Sequence, residues 1–391
     1  MTSAPSPPEP LPGARLLFSL DPAIAYLNHG SAGAVPVPVQ RVQQRLRDEV
    51  DANPQRFYTR GLYERIAHAR RHIAGFFGAD PDGTALVANT TVGIAVVLHS
   101  LGLGTGDEVV TTDHRYGTVD YAVDGTGATG RTIPIPLDAP TGKIVAAVRD
   151  AVTPGRTRLV VVDLVASSTA RLFPVAEIAQ ALRGTGIPLL VDGAHAPGSI
   201  ALDVDALGAD FFVGNVHKWG FAPRGTAILA VPPAWRDRIR PLVRSWADPD
   251  GYPANVEYGG TLDYTPWLAA PTGLFTLRTL GPERVRAHNV ALARYGQHVL
   301  ATALGVDPDT LPDPGGPVPM RLIPLPGNGF ADPTAAVTAA VALRDRIADE
   351  LRTEVAVNPW HGRLLLRVSA QVYNRPEEYE RLAQRLPALL R

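Results

Sequence analysis

The sequence contains no cysteine among its 391 residues. That absence excludes disulfide bonds, zinc sites built on thiolates and catalysis by a cysteine nucleophile. The chain also lacks an excess of charge, since 37 basic residues balance 38 acidic ones and leave a net charge of −1 at pH 7. Because the two signs are interspersed, the chain offers no electrostatic footprint for nucleic acid or an anionic membrane.

Long hydrophobic runs are absent as well, and none approaches the roughly 18 residues that span a bilayer. The first stretch, Met1–Gly13, is rich in proline and serine and lacks the charged start and apolar core of a signal peptide. It therefore predicts a disordered leader and a cytoplasmic protein. A hydrophobic content of 45% over this length predicts a globular chain of two domains.

From Thr84 onward, short apolar strands alternate with helical segments. This alternation predicts an α/β fold with a mostly parallel seven-stranded sheet wrapped by helices. A smaller C-terminal α+β domain is predicted after two long helices, over 266–280 and 282–304. The predicted boundaries are an N-terminal segment over 1–25, a large domain over 26–280 and a small domain over 281–391. The seven predicted strands are 85–88, 107–111, 131–135, 158–162, 188–191, 210–213 and 226–229.

Two of these strands end abruptly at polar residues. Leu189–Val191 runs into Asp192, and Phe211–Val213 is followed closely by Lys218. The carboxyl ends of parallel strands carry the chemistry of open α/β sheets, so we expect both side chains at one sheet edge. A buried lysine beside a buried aspartate is costly unless a ligand uses both. Pyridoxal 5'-phosphate does so, because lysine forms an imine with it and aspartate holds its ring nitrogen protonated.

Other polar stretches fit the same ligand. Thr90 and Thr91 open a predicted helix directly after a strand, where N–H groups, the helix dipole and hydroxyls converge on a phosphate, although threonine also caps helices without a ligand. The rings of His114 and Tyr116 follow the next strand, and either can stack on a flat cofactor. A predicted polar loop, Asn53–Tyr58, fits a ligand-facing segment and the cover of a core edge equally well.

At four motifs the chain resembles the class V aminotransferase family of fold type I pyridoxal-phosphate enzymes, and within it the isopenicillin N epimerase-like group. The resemblance covers about residues 26–300, and the Arg367 region extends it almost to the end. It implies the fold type I architecture, a large cofactor-binding domain and a smaller C-terminal one. The motifs are Leu27–Ser31, Asp192–Gly198, Asn215–Lys218 and Gly260–Asp263.

Carried over position by position, the resemblance implies a catalytic group of Lys218, Asp192 and His195. Lys218 is the imine-forming lysine, Asp192 the partner of the ring nitrogen, and His195 the neighbour of the phenolate oxygen. Ser167 falls where many relatives place an asparagine that bonds to that oxygen. Tyr116 supplies the stacking ring, although the desulfurase pattern favours a histidine nearer His114.

The phosphate-binding positions implied in this way are Thr91, Asn215 and His217, with Thr90 nearby. Thr261 is similar to the residue that reaches the phosphate of the neighbouring subunit, which implies a homodimer with sites at the subunit interface. The implied substrate-binding residues are Arg367, which clamps the α-carboxylate, together with Asn28, His29 and Tyr58.

The missing cysteine also bears on the reaction. Related cysteine desulfurases pass sulfur to an active-site cysteine, so we do not expect a desulfurase that forms a persulfide. We expect Cα–H abstraction on an S-substituted cysteine conjugate, with a C–S lyase or decarboxylating outcome in specialised metabolism such as antibiotic biosynthesis. The alternatives are epimerisation, for which His29 or Tyr58 would deliver the second proton, and transamination.

Two other classes of protein are weaker interpretations. A regulator that senses the cofactor would need a DNA-binding domain, for which the short leader leaves no room. A metalloenzyme would need a third ligand beside His68 and His72, which share a helix face at spacing i, i+4. We therefore predict no metal site.

Overall fold

The computed structural model describes residues 5–327 and 329–391. The first four residues of the predicted leader lie outside the described range. The strands are β1 (Ala25–Tyr26), β2 (Thr84–Val87), β3 (Glu108–Thr112), β4 (Thr129–Ile133), β5 (Thr157–Asp163), β6 (Leu189–Asp192), β7 (Phe211–Asn215), β8 (Ala227–Ala230), β9 (Met320–Pro324), β10 (Thr353–Glu354), β11 (Ala356–Trp360) and β12 (Arg363–Ser369).

Helices occupy much of the chain between these strands. The α-helices are α1 (Val37–Ala52), α2 (Pro54–Thr59), α3 (Leu62–Phe76), α4 (Thr90–Leu101), α5 (Thr118–Asp124), α6 (Thr141–Ala151), α7 (Val175–Leu182), α8 (Pro233–Arg236), α9 (Ala254–Glu257), α10 (Thr265–Leu280), α11 (Pro282–Ala303), α12 (Pro333–Leu351) and α13 (Pro376–Leu389). Short 3₁₀ helices lie at Ala14–Leu17, Pro81–Gly83, Asp205–Leu207, Asp248–Asp250 and Pro308–Thr310.

Two compact units make up the chain. The larger consists of Val35–Ser167 and Phe173–Thr279. The smaller consists of the residues up to Ala34, the short segment Ser168–Leu172 and Leu280–Arg391. The boundaries at 25/26 and 280/281 stay predictions, and the smaller unit differs from the predicted small domain by including 26–34 and 168–172.

A seven-stranded sheet is the centre of the larger unit, which confirms the predicted α/β class. Its strand order is β2-β8-β7-β6-β5-β3-β4. The pairs β7–β6, β6–β5, β5–β3 and β3–β4 are parallel, whereas β8 runs antiparallel to both of its neighbours. Strands β2, β3, β6, β7 and β8 are buried along their whole length. Burial on both faces explains why the sequence shows continuous apolar runs rather than alternation.

The core of the larger unit forms where this sheet meets its helices. Val97 of α4 packs in one cluster with Val161, Leu190, Val213 and Leu229, each with no exposed surface. Because those four positions come from four strands, this packing holds β5, β6, β7 and β8 in place. The strand ends that carry polar residues are thereby fixed relative to one another.

The smaller unit has its own core and two small sheets. An antiparallel sheet has the order β11-β12-β9, and β1 pairs in parallel with β10. Helices α11, α12 and α13 cover a cluster that includes Leu292, Ile347, Leu366 and Leu386. This α+β arrangement is the architecture predicted for the C-terminal part.

Two segments differ from their predictions. The loop predicted over Asn53–Tyr58 is largely helix α2, because the Asn53 side chain accepts the Arg56 N–H and Pro54 occupies the first turn. The predicted disordered leader is packed over its last part, since Leu11 is only 7% exposed and the Glu9 carbonyl bonds to His288. No described helix is long and apolar enough to cross a membrane.

Candidate active site

The carboxyl edge of the large sheet brings the predicted catalytic residues together. Strands β5, β6 and β7 are parallel neighbours, so their carboxyl ends lie at one edge. Asp192 is the last residue of β6, and Lys218 follows the end of β7 by three residues. The Lys218 Nζ atom lies 3.2 Å from Nε2 of His195. The amine and the imidazole predicted to flank one ligand are therefore in direct contact.

Asp192 is a buried acid. Its side chain is 2% exposed, and Oδ1 accepts the Ala194 N–H at 2.9 Å. Burial raises the pKa of the Asp192 carboxyl, although the Ala194 N–H and the charge of Lys218 lower it. A buried carboxyl of this kind is suited to a partner that carries its own proton on nitrogen.

Glycine shapes the turn that follows Asp192. A Cβ atom at Gly193 would collide with the ring of Phe212 and crowd the Val213 carbonyl. Gly198 has a φ of +91°, and a Cβ there would meet the Trp219 carbonyl. Only glycine lets the backbone after β6 pass this close to the segment that carries Lys218.

Helix α4 begins at the same edge. The Asn89 side chain caps it by accepting the Val92 N–H, and the Thr90 N–H donates to Oδ1 of Asn215 at 3.0 Å. Because asparagine takes the capping role, the threonine hydroxyls are not needed for it. Thr90 is buried and Thr91 is exposed at the first turn. Two of the predicted phosphate positions are thus tied together, and α4 points its N-terminal dipole at them.

His217 extends this group of residues. Its Nδ1 atom lies 2.9 Å from the carbonyl oxygen of Thr226. Burial, followed by the charge of Lys218, lowers the pKa of His217 to about 4. The imidazole is therefore neutral near pH 7, and an anion bound beside it would raise its pKa by favouring the protonated form.

We define the sheet-edge cluster as Thr90, Asp163, Asp192, Lys218 and Thr226. Within the described range, Thr90 Oγ1, Thr226 Oγ1 and Asp163 Oδ2 are buried and have no hydrogen-bond partner. Buried polar atoms without partners are rare in folded proteins and mark places where a ligand or water belongs. An amine, a buried acid and a helix N-terminus with free hydroxyls are the groups that pyridoxal phosphate requires, so the residues fit that cofactor.

The two candidate stacking rings differ in exposure. Tyr116 is 46% exposed in the turn between β3 and α5. His114 has no exposed surface, its Nε2 lies 2.8 Å from the Ile135 carbonyl, and its ring packs edge-on against Phe173. Tyr116 is therefore the ring that is open to a ligand. Ser167, half-buried, lies four residues beyond the end of β5.

Thr261 lies in an exposed loop that tyrosines hold in place. The Tyr58 hydroxyl donates to the Leu262 carbonyl at 2.8 Å, and the Tyr264 hydroxyl donates to the Gly260 carbonyl at 2.6 Å. The structure thus gives Tyr58 a contact with this loop, and its place against the substrate stays a prediction. Sequence reasoning missed this link because the two segments lie 204 positions apart.

In the smaller unit, Arg367 is buried with two residues of the Leu27–Ser31 motif. Its guanidinium donates to Asn28 Oδ1 at 3.1 Å and to Ser31 Oγ at 2.8 Å. Burial lowers the pKa of Arg367 to about 10. The group stays charged near pH 7, so this is a preformed cationic site with two polar neighbours.

His29 lies in a second polar group, the His29 network, which consists of His29, Asn289, Ser369, Gln371 and Tyr373. Nδ1 of His29 lies 2.9 Å from the Tyr373 hydroxyl, and Nε2 lies 3.2 Å from Nε2 of Gln371. Gln371 accepts from Asn289, and Ser369 accepts the Gly30 N–H. His29 has no exposed surface. Both ring nitrogens are thus engaged inside the smaller unit, and the role of His29 against the substrate stays a prediction.

His68 and His72 form an exposed pair on α3, with their Nε2 atoms 3.1 Å apart. Over residues 5–327 and 329–391, no group of three or more histidine, aspartate or glutamate side chains is arranged to hold a metal ion. The pair remains two surface histidines without a third ligand.

Three residues at these sites escaped the sequence analysis. Asp163 ends an apolar strand just as Asp192 does, so the same signal was present in the run Val160–Val162. Ser31 lies in a motif already singled out. Thr226 carries no local signal, because only the antiparallel return of β8 brings it to the sheet edge.

Comparison with known proteins adds to this geometry. The family model described as aminotransferase class V matches residues 25–307. Isopenicillin N epimerase of Streptomyces clavuligerus is 33% identical over 96% of this chain and 97% of its own length. A probable chloroplastic L-cysteine desulfhydrase of Arabidopsis thaliana is 27% identical over 95% of this chain and 84% of its own.

The fold is shared with solved structures. The apo cysteine desulfurase of Thermococcus onnurineus superposes with a TM-score of 0.75 at 19% identity, over 98% of this chain and 99% of the other. This similarity confirms the architecture that the four motifs implied, a large sheet-centred domain followed by a smaller α+β domain.

Proposed function

Because this chain belongs to the aminotransferase class V family, we propose that it is a pyridoxal-phosphate enzyme that cleaves the Cβ–S bond of an S-substituted cysteine. The cofactor and the general class of reaction, chemistry at the Cα of an amino acid, are those of the family. The single observation that carries the proposal is the contact of Lys218 with His195 at the edge that bears the buried Asp192.

The chain's own residues divide the work of holding the cofactor. Thr90, Thr91 and the N-terminus of α4 hold the phosphate together with Asn215 and His217. Asp192 keeps the ring nitrogen protonated, and Tyr116 stacks on the ring. When bound, pyridoxal phosphate withdraws electrons from the Cα of the attached amino acid and makes its proton acidic.

Lys218 is the general base in this proposal. Its amine takes the Cα proton, and His195 at 3.2 Å holds the amine in place and shares its proton. The electron pair left at Cα forms the Cα=Cβ bond as the Cβ–S bond breaks, the leaving thiolate takes up a proton, and water hydrolyses the released enamine to pyruvate and ammonia. One base and one leaving group suffice, so β-elimination requires no second acid–base residue at Cα.

Arg367 binds the substrate α-carboxylate in this proposal. Its guanidinium is buried and charged, and Asn28 and Ser31 fix its orientation. A bidentate arginine–carboxylate contact fixes both position and angle, which determines which bond at Cα is broken.

Epimerisation is the second candidate, and the 33% identity to an isopenicillin N epimerase over nearly the full chain favours it. It requires a second proton donor on the opposite face of Cα. The two residues predicted for that role are both engaged elsewhere, His29 with Tyr373 and Gln371, and Tyr58 with Leu262. For this reason we rank elimination first. Transamination would need a 2-oxo acid as a second substrate.

The homodimer is also a proposal. Thr261 is exposed in a loop held by Tyr58 and Tyr264, as expected of a residue that reaches the phosphate of a second subunit. Sedimentation with and without cofactor tests it. We expect a dimer whose dissociation increases when the cofactor is removed.

Product analysis separates the candidate reactions. The purified protein, loaded with pyridoxal phosphate, is incubated in deuterium oxide with S-methyl-L-cysteine, L-cystine and ordinary L-amino acids. Pyruvate, ammonia and free thiol establish the lyase, and loss of the carboxyl carbon establishes the decarboxylating outcome. Inverted chirality with one deuterium at Cα establishes the epimerase. A protein that stays colourless with added cofactor would overturn the proposal.

A further inference from the structure

A second buried aspartate lies beside Asp192. Asp163 ends β5, and in the parallel pairing of β5 with β6 it is the register partner of Asp192. The two residues are 3% and 2% exposed. No part of the proposed reaction uses Asp163, yet a buried carboxyl at this edge needs a physical reason.

The strand geometry turns both carboxyl groups to the same side. Register partners on neighbouring strands present their side chains on one face of the sheet, with backbones about 4.8 Å apart. Oδ2 of Asp163 is buried and has no partner among the described residues, whereas Oδ1 of Asp192 accepts the Ala194 N–H. Two ionised carboxylates on neighbouring buried strands would repel each other, and one proton held by the pair would remove that repulsion.

The neighbouring groups decide which carboxyl keeps that proton. Asp192 has the Ala194 N–H and the charge of Lys218 to stabilise its ionised form. Burial, followed by the negative charge of Asp192, raises the pKa of Asp163 well above its usual range, although Arg115 and Lys218 lower it. On the β3 side the other titratable groups are Asp113 and His114, and Arg115 is already paired with Asp120.

We propose that Asp163 is a positioning residue that holds a proton against the carboxylate of Asp192. The inference rests on the proposed function, in which Asp192 is the partner of the cofactor's ring nitrogen. A neutral Asp163 donates its O–H to Asp192, fixes the orientation of that carboxylate and makes it less basic. The proton on the ring nitrogen therefore stays on the ring, and the site carries one negative charge rather than two.

The first test uses the protein without cofactor. Wild type and Asp163→Asn are unfolded thermally between pH 5 and pH 8. A carboxyl whose pKa is raised by folding contributes stability that is lost as pH rises, and an amide does not titrate. As the pH rises from 5 to 8, we expect the unfolding temperature of wild type to fall about 3 °C more than that of Asp163→Asn. Parallel curves for the two proteins would overturn the shared proton.

The second test measures the bound cofactor by its absorbance. For Asp163→Leu, which removes the donor, we expect roughly tenfold weaker cofactor binding and a shift of about one pH unit in the midpoint of the visible band. Asp163→Asn keeps a donor, so its midpoint should move less and in the same direction. Unchanged binding and midpoint in Asp163→Leu would contradict the proposal, as would equal losses in both variants.

A control at the other end of β5 separates position from packing. Thr157 donates to Glu108 there, far from the carboxyl edge, and Thr157→Val removes that bond. It should lower the unfolding midpoint without moving the absorbance midpoint. These experiments also distinguish failure of the proposed function from failure of the shared proton. A wild type that binds no pyridoxal phosphate refutes the cofactor assignment, while the unfolding curves of the apo protein still test the shared proton.

Discussion

The sheet-edge cluster and the His29 network are both buried polar groups, but their hydrogen bonding differs. In the cluster, Thr90, Thr226 and Asp163 each have a buried polar atom with no partner in the described part of the chain. In the network, His29 bonds through both ring nitrogens and its neighbours are hydrogen-bonded, while Asn289 Oδ1 is the one buried atom of the group without a partner among the described residues. An unsatisfied buried atom costs stability unless a ligand satisfies it. Three such atoms in the cluster against one in the network favour a ligand-binding role for the cluster and a structural role for the network.

Replacing Lys218 gives the largest expected effect and tests the ligand-binding side of this contrast. Lys218→Ala should reduce turnover at least about 10⁴-fold, equivalent to about 5.5 kcal/mol, because it removes both the covalent attachment and the base. Turnover assays and the visible absorbance of the loaded protein measure it. Lys143, the only other lysine in the sequence, lies exposed on α6. Lys143→Ala is the matched control, and equal losses in the two variants would contradict the assignment.

Breaking the His29 network should instead change stability. His29→Leu leaves the Tyr373 hydroxyl and the Gln371 amide without their partner, and we expect a loss of about 3 kcal/mol in unfolding free energy. Denaturant unfolding measures the loss. Cofactor affinity should stay within about twofold of wild type, because the network lies in the smaller unit and the cofactor residues in the larger. A tenfold loss of cofactor affinity with unchanged stability would contradict the structural role given to the network.

Two buried arginines of the smaller unit sharpen the contrast further. Arg367→Lys keeps the charge but loses the bidentate fork, so kcat/KM should fall about 100-fold, or about 2.7 kcal/mol, mostly through KM. Arg321 is the control, because its guanidinium donates only to the Val318 and Met320 carbonyls among the bonds described. Arg321→Lys should lower the unfolding midpoint and leave KM unchanged. Steady-state kinetics on both variants decide the point.

The smallest expected effect depends on pH. Folding lowers the pKa of His217 from about 6.5 to about 4, so its contribution to stability is complete above pH 6.5 and is lost as pH falls toward 4. Between pH 7 and pH 5 the apo protein should lose about 2 kcal/mol through this group. The unfolding free energy of His217→Gln should change less with pH over that interval. A bound phosphate should reduce the acid loss in wild type, and an unchanged slope on cofactor binding would count against His217 as a phosphate ligand.

The sequence predicted elements well where a single face or strand end carried the signal. All seven strands of the large sheet lie within about two residues of their predicted positions, and most of them are short apolar runs that are buried on both faces, although β4 is largely exposed. Asp192 and Lys218 were found for the same reason, since each ends or follows such a run. The strand order was not predictable, because it depends on packing between segments far apart in the chain.

The errors have specific physical causes. Asn53 followed by Pro54 is a helix start, but the surrounding polar and aromatic residues made the segment read as a loop. The hydrogen-bond partners of His29 were missed, because they come from positions more than 340 residues away. Side-chain partners at that separation leave no trace in local patterns. Asp163 was missed although its pattern matched that of Asp192.

The loop that carries Thr261 has a consequence for the kinetics of association. Its backbone carbonyls at Gly260 and Leu262 are already held by Tyr264 and Tyr58, so the loop has lost most of its freedom before it meets anything. Ordering a free segment of this length at the moment of contact would cost the conformational entropy of several rotatable bonds. In the proposed homodimer, a loop ordered in advance would avoid that entropic barrier, so association at Thr261 would be governed by diffusion and orientation rather than by a folding step.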